Sequence, residues 1–260
     1  MTTPDGAPPP LLVFTDLDGT LLDHETYDWS PAADALTALA EAGAVVIPAT
    51  SKTRAEVAPL MEALGLSGPA IVENGAGLIG PGAPEPCIDD IRARLNDLPT
   101  ELRRAFQGFG DWTAEEVAKR TGLPLEDAER AHAREFSEPG VWLGDDEMLE
   151  GFESALALSG LTIRRGGRFI HVLPGADKAA RMAEIRAGFA PCPAMALGDA
   201  PNDAEMLAAA DIGVIIPNPS GPAPFPEGEA PGHVRTAAAP GPEGWAAETL
   251  ATLEEIRGKG

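Results

Sequence analysis

The sequence predicts an α/β fold, a doubly wound parallel sheet with an α+β domain inserted into it, and three observations carry that prediction. Short apolar runs alternate with helical patterns from residue 11 to residue 73. The alternation breaks off in a stretch rich in glycine and proline, NGAGLIGPGAPEP, and it resumes at Lys178. Strands alternating with helices imply right-handed crossovers and therefore parallel strands. The expected division is a core from residues 1–76 and 176–260 with an inserted domain from 77–175.

The elements follow in order. LLVF (11–14) reads as a buried strand. Ser30-Pro31 offers an N-cap and a first-turn proline to the helical pattern AADALTALAEA, which closes at Gly43. VVIPAT (45–50) is the next strand, although Pro48 cannot donate to a ladder. A helix from Thr53 to Leu64 ends at Gly65, and PAIVE (69–73) makes a third strand. In the insert, Thr113 and Glu116 form a capping box for a helix that stops at Gly122, and Pro124 opens another. LTIRRGGRFIHVL reads as a hairpin turned at Gly166-Gly167. From Lys178 come a helix to Ala187, the strand AMALG, a helix from Asn202, the strand IGVII, a long loop over 217–232, and a terminal amphipathic helix.

Composition narrows the function. With 260 residues, 44% of them hydrophobic, the chain can bury a sizeable core without staples. Cys87 and Cys192 stand far apart in no CxxC spacing, which suggests neither a disulfide framework nor a thiolate metal site and points to a reducing cytoplasm. The start, MTTPDGAPPP, has no basic region, and the apolar run behind it is too short for a signal peptide or a membrane span. A formal charge of -22 argues against nucleic acid or an anionic membrane as partner. The same acidic field repels small anions, so a phosphate site has to be built from a metal or from locally placed cations. The lysines available are Lys52, Lys119, Lys178 and Lys259.

Ligands of open parallel sheets bind beyond the carboxyl ends of the strands. Three such ends carry polar signatures: Asp16-Leu17-Asp18, Thr50-Ser51-Lys52, and Gly198-Asp199. If the backbone stays extended, Asp16 and Asp18 project to the same side and share a site with Asp199. Carboxylates so gathered call for a hard divalent cation with oxygen ligands, Mg2+, whose remaining positions suit water and phosphate. Phosphoryl transfer follows, with Asp16 as nucleophile through an aspartyl-phosphate and Asp18 as acid and base. Thr50, Ser51 and one lysine would hold the phosphoryl oxygens.

DLDGTLL, the hydroxyl at the second strand end, Lys178 and GDAPND (198–203) together resemble the four motifs of the haloacid dehalogenase superfamily of phosphohydrolases. The resemblance implies the superfamily's core fold with an inserted cap. It also implies Asp16 as nucleophile, Asp18 as acid/base, and Thr50 and Lys178 on the phosphoryl group. Asp16, Asp199 and the main-chain carbonyl of Asp18 would bind Mg2+, and Asn202 and Asp203 would steady the metal shell. A finer resemblance, carried by TSKTRAEV, IVENGAGL, WTAEEVAKRTGL, AREFSE, GGRFIHVLPGADK and GPEGW, is to the mannosyl-3-phosphoglycerate phosphatases. It implies hydrolysis of that sugar-glycerate phosphate to mannosylglycerate, a compatible solute. Glucosyl-3-phosphoglycerate is the runner-up, and a broader sugar-phosphate phosphatase comes next. A non-catalytic sugar-phosphate binding protein and a phosphomutase are the readings of another kind; the acid/base at Asp18 counts against the former.

Lys52 and Arg168 are candidates for the substrate's anionic groups, Arg168 because its planar fork suits a carboxylate. Cap closure would bring Arg168 toward the glycerate end of the substrate. Arg168 and His171 differ by an odd number and would face opposite sides of a strand; His171 is divided between core packing and the site. Asn74, with Glu73, either caps a turn or touches a sugar hydroxyl. Arg164 and Arg165 read as a solvated hairpin face. GAGLIG (75–80) fits GxGxxG, but no helix follows it, so a turn is the better reading. Trp112, Trp142 and Trp245 read as packing residues.

Overall fold

A computed structural model of the chain describes residues 8–166, 169–175 and 177–258. They divide into two compact units, one drawn from residues 1–50, 64–71 and 177–260 and the other from 51–63 and 72–176.

The first unit is built on a five-stranded parallel sheet. Its order across the sheet is Val234–Thr236, Ile212–Ile215, Ala194–Gly198, Leu12–Thr15 and Val45–Pro48. Leu12, Val13, Phe14 and the run Ala194 to Leu197 are all buried, as expected of central strands covered on both faces. From Leu12–Thr15 the chain steps one way to Val45–Pro48, whereas from Ala194–Gly198 it steps the other way to Ile212–Ile215 and Val234–Thr236. Right-handed crossovers put helices of opposite steps on opposite faces, which makes the sheet doubly wound. The helix Ala33–Glu41 packs with Gly241–Arg257, and Lys178–Ala187 packs with Ala204–Ala209. The order reverses between Leu12–Thr15 and Ala194–Gly198, so the crevice of the sheet lies where those two adjacent strands end.

Pro48 is accommodated by parity. Val45 N donates to Leu11 O at 3.0 Å and Ala49 N to Thr15 O at 2.7 Å, so alternate residues feed the neighbouring strand and the missing N–H of Pro48 falls on the other side. The strand Ala70–Val72 meets the sheet through one bridge, Ala49 to Ile71. Ser30 does not cap the first helix with its side chain. Asp28 does the local work, accepting from Ser30 N at 2.9 Å and Ser30 Oγ at 2.7 Å, while Pro31 sits in the first turn as expected. The strand Val234–Thr236 goes unsignalled in the sequence because it is three residues long and follows the proline-rich loop.

The second unit holds a four-stranded antiparallel sheet, in the order Phe106–Gly108, Glu138–Trp142, Phe169–Pro174 and Leu161–Gly166. Ile170 and Val172 point to one face and pack with Ile91, Leu95, Leu149, Phe152 and Leu156 from the helices Ile88–Asn96 and Asp146–Leu158. Val141 and Phe169 pack into a second cluster with Phe109, Trp112, Val117, Ala128 and Ala131. The capping box forms, with Glu116 Oε2 accepting from Thr113 N at 2.8 Å, and its helix ends at Gly122, whose φ of 83° needs glycine. The hairpin pairs down to Gly166 opposite Phe169. Its connecting residues, Arg168 among them, lie outside the described residues. Gly140 explains why Glu138–Trp142 is hard to read as a strand: a Cβ there would stand 2.5 Å from Gln107 O and 2.6 Å from the Phe106 ring, so close approach demands glycine after Pro139.

Trp245 is fully buried on the terminal helix and donates from Nε1 to Thr15 Oγ1 at 2.9 Å; that hydroxyl in turn donates to Asp16 O at 2.7 Å. Trp245→Ala is expected to lower unfolding free energy by about 3–5 kcal/mol. Trp245→Phe, which keeps most of the packing and loses the hydrogen bond, should cost about 1–3 kcal/mol. Urea titration checks both; a Trp245→Ala loss below about 1 kcal/mol would contradict this packing role.

Candidate active site

The two central strands of the parallel sheet end side by side, and each is followed at once by an aspartate. Asp16 N donates to Leu197 O at 2.9 Å, which holds the end of the first strand against the second. The helix Lys178–Ala187 begins at the lysine itself, its N-cap Asp177 accepting from Ala180 N at 2.6 Å. Lys178 is 1% exposed, and its Nζ donates to Asp16 Oδ1 at 2.8 Å and to Asp203 Oδ1 at 2.7 Å. Asp203 Oδ2 accepts from the backbone of Asp199 at 3.2 Å and of Ala200 at 3.1 Å. Asp203 thus ties the lysine to the loop that carries Asp199.

Asp16, Asp199 and Asp203 each place a carboxylate oxygen within 4.8 Å of the others, all three buried. Burial and the carboxylates of Asp203 and Asp199 raise Asp16 well above the ordinary aspartate range, against the pull of Lys178. Burial, then Asp203, pushes Asp199 up to about 6. Burial acts to lower Lys178, but Asp16 and Asp203 outweigh it and hold the ammonium above the usual lysine value. The cluster is therefore short of positive charge: three carboxylates share one lysine. An all-oxygen set of this kind fits a divalent cation. The backbone is shaped to it, since a Cβ on Gly19, where φ is 80°, would stand 2.6 Å from Asp199 Oδ2.

Asp18 is half-buried and stands outside that group of oxygens. The extended continuation assumed for the DLD spacing is not there: the strand ends at Thr15, and Thr20 N and Leu22 N both donate to Leu17 O, at 3.2 and 2.8 Å. Thr50 is 1% exposed, and its N donates to Ile71 O at 3.0 Å. Asn202 is half-buried in the turn Pro201–Asp203. Two further residues reach the cluster. Thr20 Oγ1 donates to Asp199 Oδ1 at 3.2 Å, and Asn218 Nδ2 donates to Asp199 Oδ2 at 2.6 Å. The signal for Asn218 was its place just past the strand Ile212–Ile215, masked by the prolines on either side.

The remaining sequence candidates belong to the second unit. Ser51 and Lys52 are half-buried and are held through their carbonyls: Arg134 Nη1 donates to Ser51 O at 3.2 Å, and Glu73 N donates to Lys52 O at 3.0 Å. Glu73 and Arg134, 1% and 8% exposed, form an ion pair at 3.1 Å. Glu73 also accepts from Glu135 N, Phe136 N and Ser137 Oγ. This network sustains two consecutive left-handed residues, Glu73 at φ 52° and Asn74 at φ 59°, in a conformation that costs non-glycine residues. Asn74 is 5% exposed and His171 8%. Arg168 lies outside the described residues.

The raised Asp199 has a pH consequence. Its folded pKa of about 6 exceeds the ordinary 3.8, so between those values the native state keeps a proton that the unfolded chain has released. Stability of the metal-free protein should fall as pH rises from about 4 to about 6, by on the order of 3 kcal/mol, and stay lower above. Asp199→Asn should flatten that slope in thermal melts taken with chelator present; an unchanged slope would contradict the assignment.

Residues 13–81 match the family of haloacid dehalogenase-like hydrolases. Across 95% of its length the chain is 33% identical to a protein of Persephonella marina named glucosyl-3-phosphoglycerate/mannosyl-3-phosphoglycerate phosphatase, 98% of which is covered. A solved phosphatase of the haloalkanoate enzyme superfamily from Bacteroides thetaiotaomicron is similar in fold, with a TM-score of 0.68 at 21% identity over 94% of each chain. The sucrose-phosphatase of Synechocystis, solved with sucrose and phosphate, gives 0.63 at 14% identity over 94% of this chain and 98% of that one. These two share the fold. The identity to the Persephonella protein reaches almost end to end, and the chain belongs to the haloacid dehalogenase-like hydrolases, as a phosphatase of phosphoric monoesters.

Proposed function

We propose that the chain hydrolyses mannosyl-3-phosphoglycerate to mannosylglycerate and phosphate, with Mg2+ as its metal. The observation that carries the substrate is the near-complete match to the Persephonella protein, whose name gives both glycosyl forms. That pairing also favours a second reading, in which the glucosyl compound is used as well. The two free cysteines, Cys87 and Cys192, suit work in a reducing cytoplasm. On this reading the catalytic core is 1–76 with 176–260, and 77–175 is its inserted cap.

The chemistry rests on the cluster around Lys178. Asp16, held by the lysine at 2.8 Å, attacks phosphorus in line while the ester oxygen departs. Asp18 gives its proton to that leaving oxygen. In the second half, Asp18 takes a proton from the attacking water, the bond from Asp16 to phosphorus breaks, and inorganic phosphate leaves with the carboxylate restored. Thr50, Ser51 and Lys178 hold the phosphoryl oxygens, and Lys52 adds positive charge for the anionic substrate. Asp16, Asp199 and the carbonyl of Asp18 would hold Mg2+, which would supply positive charge against the phosphoryl group. Asn202, Asp203, Thr20 and Asn218 keep its ligands in place.

Phosphate release from mannosyl- and glucosyl-3-phosphoglycerate, measured with Mg2+ and with chelator, tests this. Release should require the metal and fall by roughly a thousandfold or more in Asp16→Asn. Cleavage of a simple phosphate ester but of neither glycosyl compound would overturn the substrate. Substantial activity in Asp16→Asn would overturn the nucleophile.

A further inference from the structure

We infer that Arg164 and His171, paired across two strands of the antiparallel sheet, form the binding site for the carboxylate of the substrate; the inference rests on the substrate reading above. The register sets Arg164 directly opposite His171, and residues so paired present their side chains on the same face. Arg165 opposes Ile170, which is buried in the helix-covered core on the other side. Arg164 is half-buried, and Arg165 is exposed at the end of its strand. The pair of arginines that the sequence presents as one solvated surface is thus split by the sheet, with one member beside the histidine.

His171 supplies the independent sign of a ligand. The side chain is 8% exposed, yet its Nδ1 makes no hydrogen bond. A buried polar atom left unmet costs as much as a lost hydrogen bond, and a ligand that meets it recovers that loss. Burial, and then the charge of Arg134, pushes the imidazole down to about 3, so it is neutral wherever the enzyme works. Arg134 itself is committed to Glu73 at 3.1 Å and to Ser137 Oγ at 2.6 Å. Among the described residues, Arg164 is the cation that the register places beside His171; its planar fork matches a carboxylate, while His171 adds one neutral hydrogen bond. Phe169 and Val141 occupy the same face by parity and are taken up by hydrophobic packing, while Gln107 and Thr162 share it as neutral polar groups, so the charge on the described part of this face is that of Arg164. In a chain of net charge -22, a carboxylate needs such a local cation.

The test compares mannosyl-3-phosphoglycerate with its methyl ester, which lacks the carboxylate charge. Wild type should prefer the acid by about tenfold to a hundredfold in kcat/KM, the range expected for a charged hydrogen bond. Arg164→Gln should reduce that preference to within about threefold through KM, and Arg164→Lys should restore part of it. An unchanged preference in Arg164→Gln, or its loss in Arg168→Gln alone, overturns the inference. If wild type cleaves neither compound, the substrate reading fails, and calorimetry with D-glycerate decides the inference alone. Binding that weakens about tenfold in Arg164→Gln supports it, and no binding, or equal binding by both proteins, overturns it.

Discussion

The buried ammonium of Lys178 stands between the carboxylates of Asp16 and Asp203, and the geometry of the first unit's candidate site depends on that arrangement. Two of the three partners come from opposite ends of the chain, and they meet because the sheet places its first strand beside the strand Ala194–Gly198. Neither acidic group could be buried there without the lysine, and the lysine could not be buried without them. One cation for three carboxylates leaves the cluster under-neutralised, which is why Asp16 and Asp199 hold their protons more tightly than exposed aspartates do. The same deficit makes the cluster a receptor for a divalent cation.

Packing behind the cluster is as constrained as the charges in front of it. Trp245 reaches Thr15, and Thr15 reaches the carbonyl of Asp16, so a hydrogen-bonded line runs from the terminal helix to the residue proposed as nucleophile. Gly19 and Gly198 let backbone come against Asp199 and Asp203 where any side chain would collide. The second unit meets a similar demand differently. It holds two consecutive residues in left-handed conformations by giving Glu73 a buried arginine, a hydroxyl and two backbone donors at once. That many partners over-determine a strained turn, and such turns are typical of functional segments.

Much of this was legible in the sequence because parallel strands, buried on both faces, write themselves as uninterrupted apolar runs. LLVF, AMALG and IGVII announced the sheet, and the aspartates just past the first two of those runs announced the cluster. The lysine was legible only by its position between a hairpin and GDAPND. What stayed hidden depends on distance in the chain or on shape. Asn218 and Thr20 touch Asp199 through folding alone, and the pairing of Glu73 with Arg134 leaves no local trace. Glu138–Trp142 carries Pro139 and Gly140, which read as a turn until the close approach of Phe106 explains the glycine. The DLD spacing suggested two aspartates on one side of an extended strand. The bend at Leu17 ended the strand first, because closing the turn onto the Leu17 carbonyl satisfies two backbone donors.

The claim that the carboxylate cluster is short of positive charge is tested most directly by the protons it releases on titration with a divalent cation, for which Mg2+, the metal proposed above, is the probe. Calorimetric titration in two buffers of different ionisation enthalpy gives that number. With Asp199 titrating near 6, binding at pH 6 should release a substantial fraction of a proton, and more than at pH 8. Tight binding with no proton release at pH 6 would mean that the carboxylates are already fully ionised, and the account of the site would be wrong.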